Sequence, residues 1–347
     1  MFKSFLRMVA VVLIIITLTG CDALPETTNT GVQDQPEIYY IHDNKFIRQQ
    51  PGQKSEMLLT LPDLGETKDA LKIEGMIFVL RERGLQKVSI ADKSVDLITQ
   101  FANPVISGVL SADPNHYTLI FAVDDKVEIY DLGKQTTNEV FSQPGAGFFK
   151  PIGLTKDGKK LYLVPHSGDP EFPEILILNL NSGKIESFSI GIGYEAALSQ
   201  NARYLAIASV HYIALEKPIE YGLTLFDLFA PQTSGRILPI PNSPSHVSDL
   251  IWSSDNKRVY FLLRPGTPYD DLTTSYGIWC WNVESETFSQ VVAIKNPAMH
   301  LVDISPDGEW ILLRPEVESS IDLVHIPTGK IETMLLPAGP LALVRWR

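Results

Sequence analysis

The stretch "ISPDGEWILL", residues 304–313, decides the fold of this chain. Pro fixes φ, Gly adopts positive φ and Asp hydrogen-bonds its own backbone. Ser-Pro-Asp-Gly ahead of an apolar run therefore predicts a tight turn that opens a β-strand. Asp307 is then either a turn residue or a reactive carboxylate. Recurrence of the pattern elsewhere in the chain distinguishes these interpretations, because a turn residue of a repeated unit recurs with each unit.

Four related segments precede this stretch, at residues 109–121, 154–164, 198–208 and 251–263. Each places an apolar residue, Ser or Thr, one further residue and then Asp or Asn ahead of an apolar strand. The marked positions, 44, 44, 54 and 52 residues apart, are Asp113, Asp157, Asn201, Asp255 and Asp307. A repeat of this length, built of short strands and turns, is typical of propeller blades. We therefore interpret Asp307 as a turn residue.

The second half of each unit repeats as an alternating apolar strand, a polar turn and another strand. The segments are 127–141, 175–190, 223–240, 278–292 and 321–335. Alternation of β-branched and aromatic residues with polar ones predicts β-strands. No convincing long 3.6-residue period follows residue 36. The sequence predicts one all-β domain over residues 37–347.

Two weaker units complete the blade count. Residues 76–101 give three strands, with "ALKIEG" (70–75) before them as a weak first strand, and residues 38–61 give three strands without a first. "LALVRW" (341–346) supplies the missing strand. We predict a single seven-bladed β-propeller in which the C-terminal strand joins blade one, so that no long edge is unpaired. Six or eight blades are the alternatives if the weak units divide differently.

"ISPDGEWILL" and "LTKDGKKLYLV" (154–164) resemble the WD-like, or PD40-like, repeats of the TolB type. In that type, Ser-Pro-Asp-Gly turns begin the second strand of each blade. The resemblance covers residues 37–347 and implies a β-propeller fold.

The first twenty residues differ from the rest of the chain. Lys3 and Arg7 precede the apolar run "VAVVLIIITL" (9–18), which is too short for a stable membrane span, so residues 1–20 are predicted to be a secretory signal peptide. "LTGC" (18–21) resembles the bacterial lipobox. The resemblance implies that Cys21 carries acyl chains such as palmitate and becomes the mature N-terminus. An ordinary signal peptide or an uncleaved anchor is the alternative.

Residues 21–36 then form the lipidated cysteine and a flexible polar tether. We expect a protein anchored by lipid to the cell membrane and facing the periplasm or the extracellular side. Two or more acyl chains suffice for stable anchoring.

Without Lys3 and Arg7 the chain has 27 basic and 41 acidic residues, a net charge near −14. Such a surface repels phosphate groups, which argues against nucleic acid as a partner. Cys280, in "IWCW" (278–281), is the one cysteine besides Cys21. No internal disulfide is expected, and Cys280 is predicted to be a small buried side chain.

Three consecutive units have long connections between their second and third strands, at 165–174, 210–222 and 264–277. These connections share one face of a propeller, where function commonly resides. We predict that this face binds a protein or peptide, basic or neutral in charge, with a cell-wall glycan as the second candidate. The candidate partner-binding residues are Phe172, Tyr212, Tyr221, Tyr269, Tyr276, Glu171, Glu216, Glu220, Asp270 and Asp271. Tolerated insertions in a purely structural protein are the alternative.

Four histidines are expected on the same face, with His166 and His211 at the start of two long loops and His246 and His300 between blades. They could form a metal or acid–base cluster at the channel mouth, as in an envelope enzyme of the hydrolase or lyase type. Alternatively, they hydrogen-bond neighbouring turns. No pair has metal-ligand spacing, and Gly-x-Ser-x-Gly, phosphate-binding and His-Glu-x-x-His motifs are absent. We expect a monomer without enzyme activity, metal or cofactor.

Three arginines end second strands, in "FVLR", "FLLR" and "ILLR": Arg81, Arg264 and Arg314. They either converge on an anionic ligand or each pair with an acid of its own blade. The acidic excess favours pairing.

Overall fold

The computed structural model describes residues 35–346 with gaps. The gaps are 74, 114, 144–147, 167–174, 189–191, 212–219, 231–234, 241–244, 267–276, 295–298, 316–318 and 340. The described residues form twenty-eight strands in seven four-stranded antiparallel sheets. All of these strands lie in the compact unit Pro36–Arg347.

Each sheet is one blade, and its strands follow one another in the chain. Blades one to three contain β1 (Ile38–His42), β2 (Lys45–Gln49), β3 (Glu56–Thr60); β4 (Thr67–Ile73), β5 (Met76–Arg81), β6 (Gly84–Ser89), β7 (Ser94–Gln100); β8 (Gly108–Asp113), β9 (Thr118–Val123), β10 (Lys126–Asp131) and β11 (Thr136–Ser142). Blades four and five contain β12 (Phe148–Leu154), β13 (Lys160–His166), β14 (Ile175–Asn179), β15 (Ile185–Phe188); β16 (Ile192–Leu198), β17 (Tyr204–His211), β18 (Glu220–Asp227) and β19 (Arg236–Pro239). Blades six and seven contain β20 (Ser245–Trp252), β21 (Arg258–Pro265), β22 (Gly277–Asn282), β23 (Thr287–Val292); β24 (Met299–Ile304), β25 (Trp310–Pro315), β26 (Ser320–His325) and β27 (Lys330–Leu335).

The last strand, β28 (Leu341–Leu343), is the inner strand of blade one. It pairs antiparallel with β1, Leu343 opposite Tyr40 and Leu341 opposite His42. The predicted seven-bladed propeller, closed by its C-terminal strand, is confirmed.

Apolar side chains between neighbouring sheets hold the ring together. The described residues form seven core clusters, and each draws its members from two adjacent blades. Phe78 and Phe121 pack between blades two and three, and Trp310 packs with Tyr40 between blades seven and one. The last interface therefore closes the circle by burial of apolar surface, the main favourable term in folding.

The turn quoted first is held by side-chain hydrogen bonds. Ser305 Oγ donates to Asp307 and accepts the backbone N–H of Trp310 at 2.9 Å, and Asp307 accepts the N–H of Glu309 at 2.9 Å. Gly308 follows at φ 74°, which glycine adopts without strain. The interpretation of Asp307 as a turn residue is confirmed.

The same hydrogen bonds recur in blades four, five and six through the pairs Thr155 and Asp157, Ser199 and Asn201, and Ser253 and Asp255. Blade three has a different turn, in which Asp113 accepts the N–H groups of Asn115 and His116. Asp113 is therefore also a turn residue, with different partners.

Five inner strands, β4, β12, β16, β20 and β24, contain a bulge where the register shifts. A bulge re-aims the side chains beside it, and bulges are common next to functional sites. Charged residues occupy or follow four of them, at Lys68 and Asp69, Glu195, Asp249, and Asp303.

Candidate functional site: the central channel

The inner strands of blades two to seven, together with Arg345 and Trp346 after β28, surround a cavity of about 770 Å³. We call the end of the ring with the connections between second and third strands the loop end, and the opposite end, with the Ser/Thr-x-Asp/Asn turns, the turn end. His300 and Arg314, partners across β24 and β25, line the cavity toward the loop end. Gln200 and Ser254 line it toward the turn end. The volume lies within the range of small-molecule sites.

Carboxylates in the channel wall link one blade to the next. Asp69 of blade two accepts the N–H of Leu110 in blade three at 2.8 Å. Glu195 of blade five accepts the N–H groups of Asp249 and Leu250 in blade six at 2.7 and 2.9 Å. Asp249 in turn accepts the N–H of Leu301 in blade seven at 3.3 Å. These acids satisfy backbone donors of the next inner strand, and in β20 and β24 those donors lie at or beside a bulge.

Glu195 differs electrostatically from an ordinary glutamate. Burial of its carboxylate in the wall raises its pKa, and repulsion by Asp249 acts in the same direction. Lys150 and the two backbone N–H donors oppose the shift without cancelling it. Glu195 therefore holds a proton to higher pH than a glutamate in water.

The wall also contains a tight ion pair between blades. Arg345, which follows the closing strand, donates to Asp69 at 2.6 Å and to the carbonyl oxygen of Leu110 at 2.7 Å. Its own backbone bonds to Ala70 and Lys72 of β4. One residue at the end of the chain thus connects blades one, two and three.

Two cations of the cavity lining are arranged differently from these acids. Lys150 of β12 and Arg314 of β25 are exposed. Neither side chain makes a hydrogen bond or salt bridge with a described residue, although Lys150 attracts the buried carboxyl of Glu195. The carboxylates line the same cavity as these two cations, but they are hydrogen-bonded to backbone groups of the wall.

Of the four histidines predicted at the channel mouth, the structure describes the side chains of His246 and His300. His246 and His300 lie in β20 and β24 rather than in loops between blades, because these inner strands begin before their apolar alternation does. His246 is buried and its Nδ1 is 3.2 Å from the carbonyl oxygen of Gly266. His300 lines the cavity, with its Nδ1 3.4 Å from Asp249. His166 and His211 end β13 and β17, and their side chains lie outside the described residues.

The alternative that the three arginines converge on a ligand is wrong for Arg81 and Arg264. The favoured alternative, pairing with an acid of the same blade, is confirmed for Arg264, which lies 3.5 Å from Asp249. Arg81 is buried and bonds to Gly65 and Asn44, and burial lowers its pKa. Arg264 is buried and bonds to Ser248 of its own blade and to the Met299 carbonyl of the next. Both arginines join neighbouring segments of the ring, and only Arg314 of the three lines the cavity.

The predicted partner-binding residues fall mainly outside the described part of the chain, namely Phe172, Tyr212, Tyr269, Tyr276, Glu171, Glu216, Asp270 and Asp271. Glu220 and Tyr221 belong to β18, where Glu220 pairs with His211, and their side chains are not described. The predicted loops were drawn too wide, since the hairpin ladders continue through residues assigned to them. Cys21 lies outside the described residues as well.

Cys280 is buried, as predicted, and burial raises its pKa to about 12. Among the described residues no group of three or more His, Cys, Asp or Glu side chains is arranged to hold a metal ion. Nor does this part of the chain contain a helix long and apolar enough to cross a membrane.

The acids of the channel wall were missed in the sequence. Their signal is an isolated acid within an apolar inner strand, as in "TKDALKI" (67–73) and "YEAAL" (194–198). An acid within an apolar strand requires a partner, and here the partners are backbone N–H groups of the next blade.

Solved structures with similar folds support the architecture. TolB from Acinetobacter baumannii has 12% identity over 88% of this chain and 81% of that chain, with a TM-score of 0.53. The β-propeller domain of Cps50 (Swd1) from Myceliophteria thermophila has 11% identity over 82% and 91%, with a TM-score of 0.59. An oligogalacturonate lyase from Vibrio parahaemolyticus has 10% identity over 88% and 86%, with a TM-score of 0.57.

The chain is a seven-bladed β-propeller similar in structure to TolB. No family model matches it, and no curated protein matches it in sequence. At these identities the similarity shows the fold alone, and this fold is shared by binding scaffolds and enzymes.

Proposed function

We propose that this protein is a lipid-anchored, extracytoplasmic β-propeller that binds a protein or peptide partner at its loop end. The observation that carries the proposal is the unequal length of the connections there. In blades one, two and three, residues 43–44, 82–83 and 124–125 suffice. In blades four, five and six, the connections occupy 167–174, 212–219 and 266–276. The additional residues are not needed to build a blade.

The composition of these connections suits a binding surface. Phe172, Tyr212, Tyr269 and Tyr276 are aromatic residues of the kind that supply large contact area with few rotatable bonds. Their acids, including Glu216 and Asp270, favour a basic or neutral partner. Since the three blades are consecutive, the connections belong to one continuous sector of the loop end. A cell-wall glycan is a less favoured ligand of the same surface.

The membrane anchor rests on the N-terminal sequence. "LTGC" (18–21) after a charged and apolar leader supports acylation of Cys21. Mass spectrometry of the mature protein tests this part: we expect an N-terminal peptide that begins at Cys21 and carries acyl chains. A Cys21→Ala variant is expected to lose the acyl mass, and a mature wild-type protein with free Cys21 would contradict the anchor.

A second candidate function is an envelope enzyme of the hydrolase or lyase type. The observation in its favour is His300, which faces the cavity and pairs with Asp249 as a general base would. His300→Gln is expected to abolish such an activity toward envelope glycans while leaving partner binding unchanged. Shortening the loops is expected to abolish partner binding and to leave such an activity unchanged.

Crosslinking of the anchored protein in its native envelope, followed by mass spectrometry, tests the main proposal. One variant replaces 167–174, 212–219 and 267–276 with short Gly-Ser connectors. The matched control carries Lys156→Ala and Lys159→Ala at the turn end, where both side chains are exposed. We expect one partner to be captured by wild type and control but not by the loop variant. Equal capture by all three, or capture by none with the fold intact by circular dichroism, would contradict the proposal.

A further inference from the structure

Acidic and basic side chains both line the channel cavity, and they differ in the partners that they have in its wall. Asp69 is 15% exposed and paired with Arg345, and Asp249 is 20% exposed and accepts a backbone N–H. Asp303 is buried and accepts the N–H of Ile304. Asp69 is thus neutralised by Arg345, Asp249 lies 3.5 Å from Arg264, and all three carboxylates are held in the wall by backbone N–H donors.

Lys150 and Arg314 face the same cavity from different sides of the ring. Lys150 is the third residue of β12 in blade four, and Arg314 lies near the end of β25 in blade seven. Blades five and six stand between them. Both residues lie toward the loop end, since Lys150 pairs with Val164 and Arg314 with His300.

These two side chains lack the partners that other cations of the lining have. Lys68 binds Glu66 at 2.6 Å and Arg345 binds Asp69 at 2.6 Å. Lys150 and Arg314 make no salt bridge with any described residue, in a chain whose net charge is −12. Lys150 does attract the buried carboxyl of Glu195, but the pKa of Glu195 is raised, so this acid offsets the charge of Lys150 only in part. Two cations without a salt bridge inside one cavity can bind an anion.

We propose that the central channel binds a small anion with two or more acidic groups, one held by Lys150 and another by Arg314. Arg314 offers a planar fork that suits carboxylate or phosphate, and Lys150 offers a mobile point charge. The cavity of about 770 Å³ admits a molecule of this size with its waters. A long polyanion is disfavoured, because the acidic outer surface repels the part left outside.

This site is independent of the partner surface proposed for the loops. Its ligand is a small molecule, and its residues belong to inner and second strands. Loop shortening is therefore expected to leave anion binding intact, and substitution of Lys150 or Arg314 to leave partner capture intact. Failure of one proposal does not entail failure of the other.

Isothermal titration calorimetry of the full-length protein in detergent micelles tests the site. The probes are citrate and pyrophosphate, with acetate as a monovalent control. We expect saturable binding of at least one probe, with a Kd near or below about 1 mM, and little binding of acetate. Preference for citrate would assign the acidic groups as carboxylates, and preference for pyrophosphate would assign them as phosphates.

Lys150→Gln and Arg314→Gln are each expected to weaken that binding about tenfold or more. The matched control is Lys45→Gln, an exposed cation on β2 outside the cavity, which should bind as wild type does. Because all three side chains are exposed, the variants should unfold at the wild-type temperature. The proposal would be overturned if neither probe bound saturably up to about 10 mM. It would also be overturned if the Lys150→Gln, Arg314→Gln double variant bound its probe with unchanged affinity.

Discussion

The two ends of the ring are built under different constraints. At the turn end, blades four to seven use one short turn with the same side-chain hydrogen bonds, and neighbouring turns bond to each other, as Asn201 N–H does to Asn256 at 3.0 Å. At the loop end, connections range from residues 43–44 to residues 266–276. Uniformity at one end and variation at the other indicate that the turn end maintains the ring and the loop end is available for function.

The largest expected effect concerns ring closure. Arg345→Ala removes the partner of a mostly buried Asp69 and a bond to Leu110, so we expect a loss of about 3 kcal/mol in the free energy of unfolding. Denaturant unfolding measures it. Arg236→Ala, which breaks an exposed pair with Glu286, is the control and should have little effect. If the two variants are equally stable, Arg345 does not stabilise the closure of the ring.

A smaller effect is expected at the turn end. Ser305→Ala removes the acceptor for the buried N–H of Trp310 and a donor to Asp307, at a cost of about 1–2 kcal/mol in stability. Ser254→Ala, an exposed serine of the neighbouring turn, should remain within about 0.5 kcal/mol of wild type. Thermal unfolding compares them. Loss of partner capture by a folded Ser305→Ala variant would argue against the division between the two ends.

The third expected effect is a pH dependence in the channel wall. The pKa of Glu195 is raised in the folded state, so the folded protein binds more protons than the unfolded chain above the ordinary glutamate pKa of 4.5. The contribution of Glu195 to the free energy of unfolding is therefore fully present below pH 4.5. It declines as the pH rises through the pKa that Glu195 has in the folded protein. The stability of wild type minus that of Glu195→Gln should therefore fall with rising pH. A difference in stability that is constant or increases between pH 4 and 8 would contradict a raised pKa of Glu195 in the folded protein.

The smallest effect concerns Cys280, whose pKa of about 12 and burial keep it a thiol. Iodoacetamide at pH 8 should leave the Cys280 peptide unmodified in the folded protein and alkylate it after denaturation. Mass spectrometry quantifies the modified fraction. Rapid labelling of the native protein would show that blade six opens near β22.

The repeated turns were predictable because each residue acts locally. Ser305, Asp307 and Gly308 lie within one turn. Their spacing along the chain therefore predicts which side chains and backbone groups hydrogen-bond to each other. The closing strand was predictable because "LALVRW" lacks the strands that should follow it. Both features depend on short segments whose pattern recurs.

The channel was not predictable in the same way. Glu195 bonds to residues fifty-four and fifty-five positions away, and its position depends on a bulge that leaves no mark in the pattern of apolar residues. His246 was misplaced for a similar reason, since its strand begins before the apolar alternation does. Arg81 and Arg264 are matched in sequence with Arg314, yet the first two are buried against neighbouring segments while the third is exposed.

Hydrogen–deuterium exchange with and without the crosslink-identified partner tests the division of the two ends most directly. The account predicts that protection appears in peptides containing 167–174, 212–219 and 266–276, while peptides over the turns at 155–160, 199–204 and 305–310 exchange as before. Protection concentrated at the turns, or along the outer strands β3, β7 and β27, would contradict it.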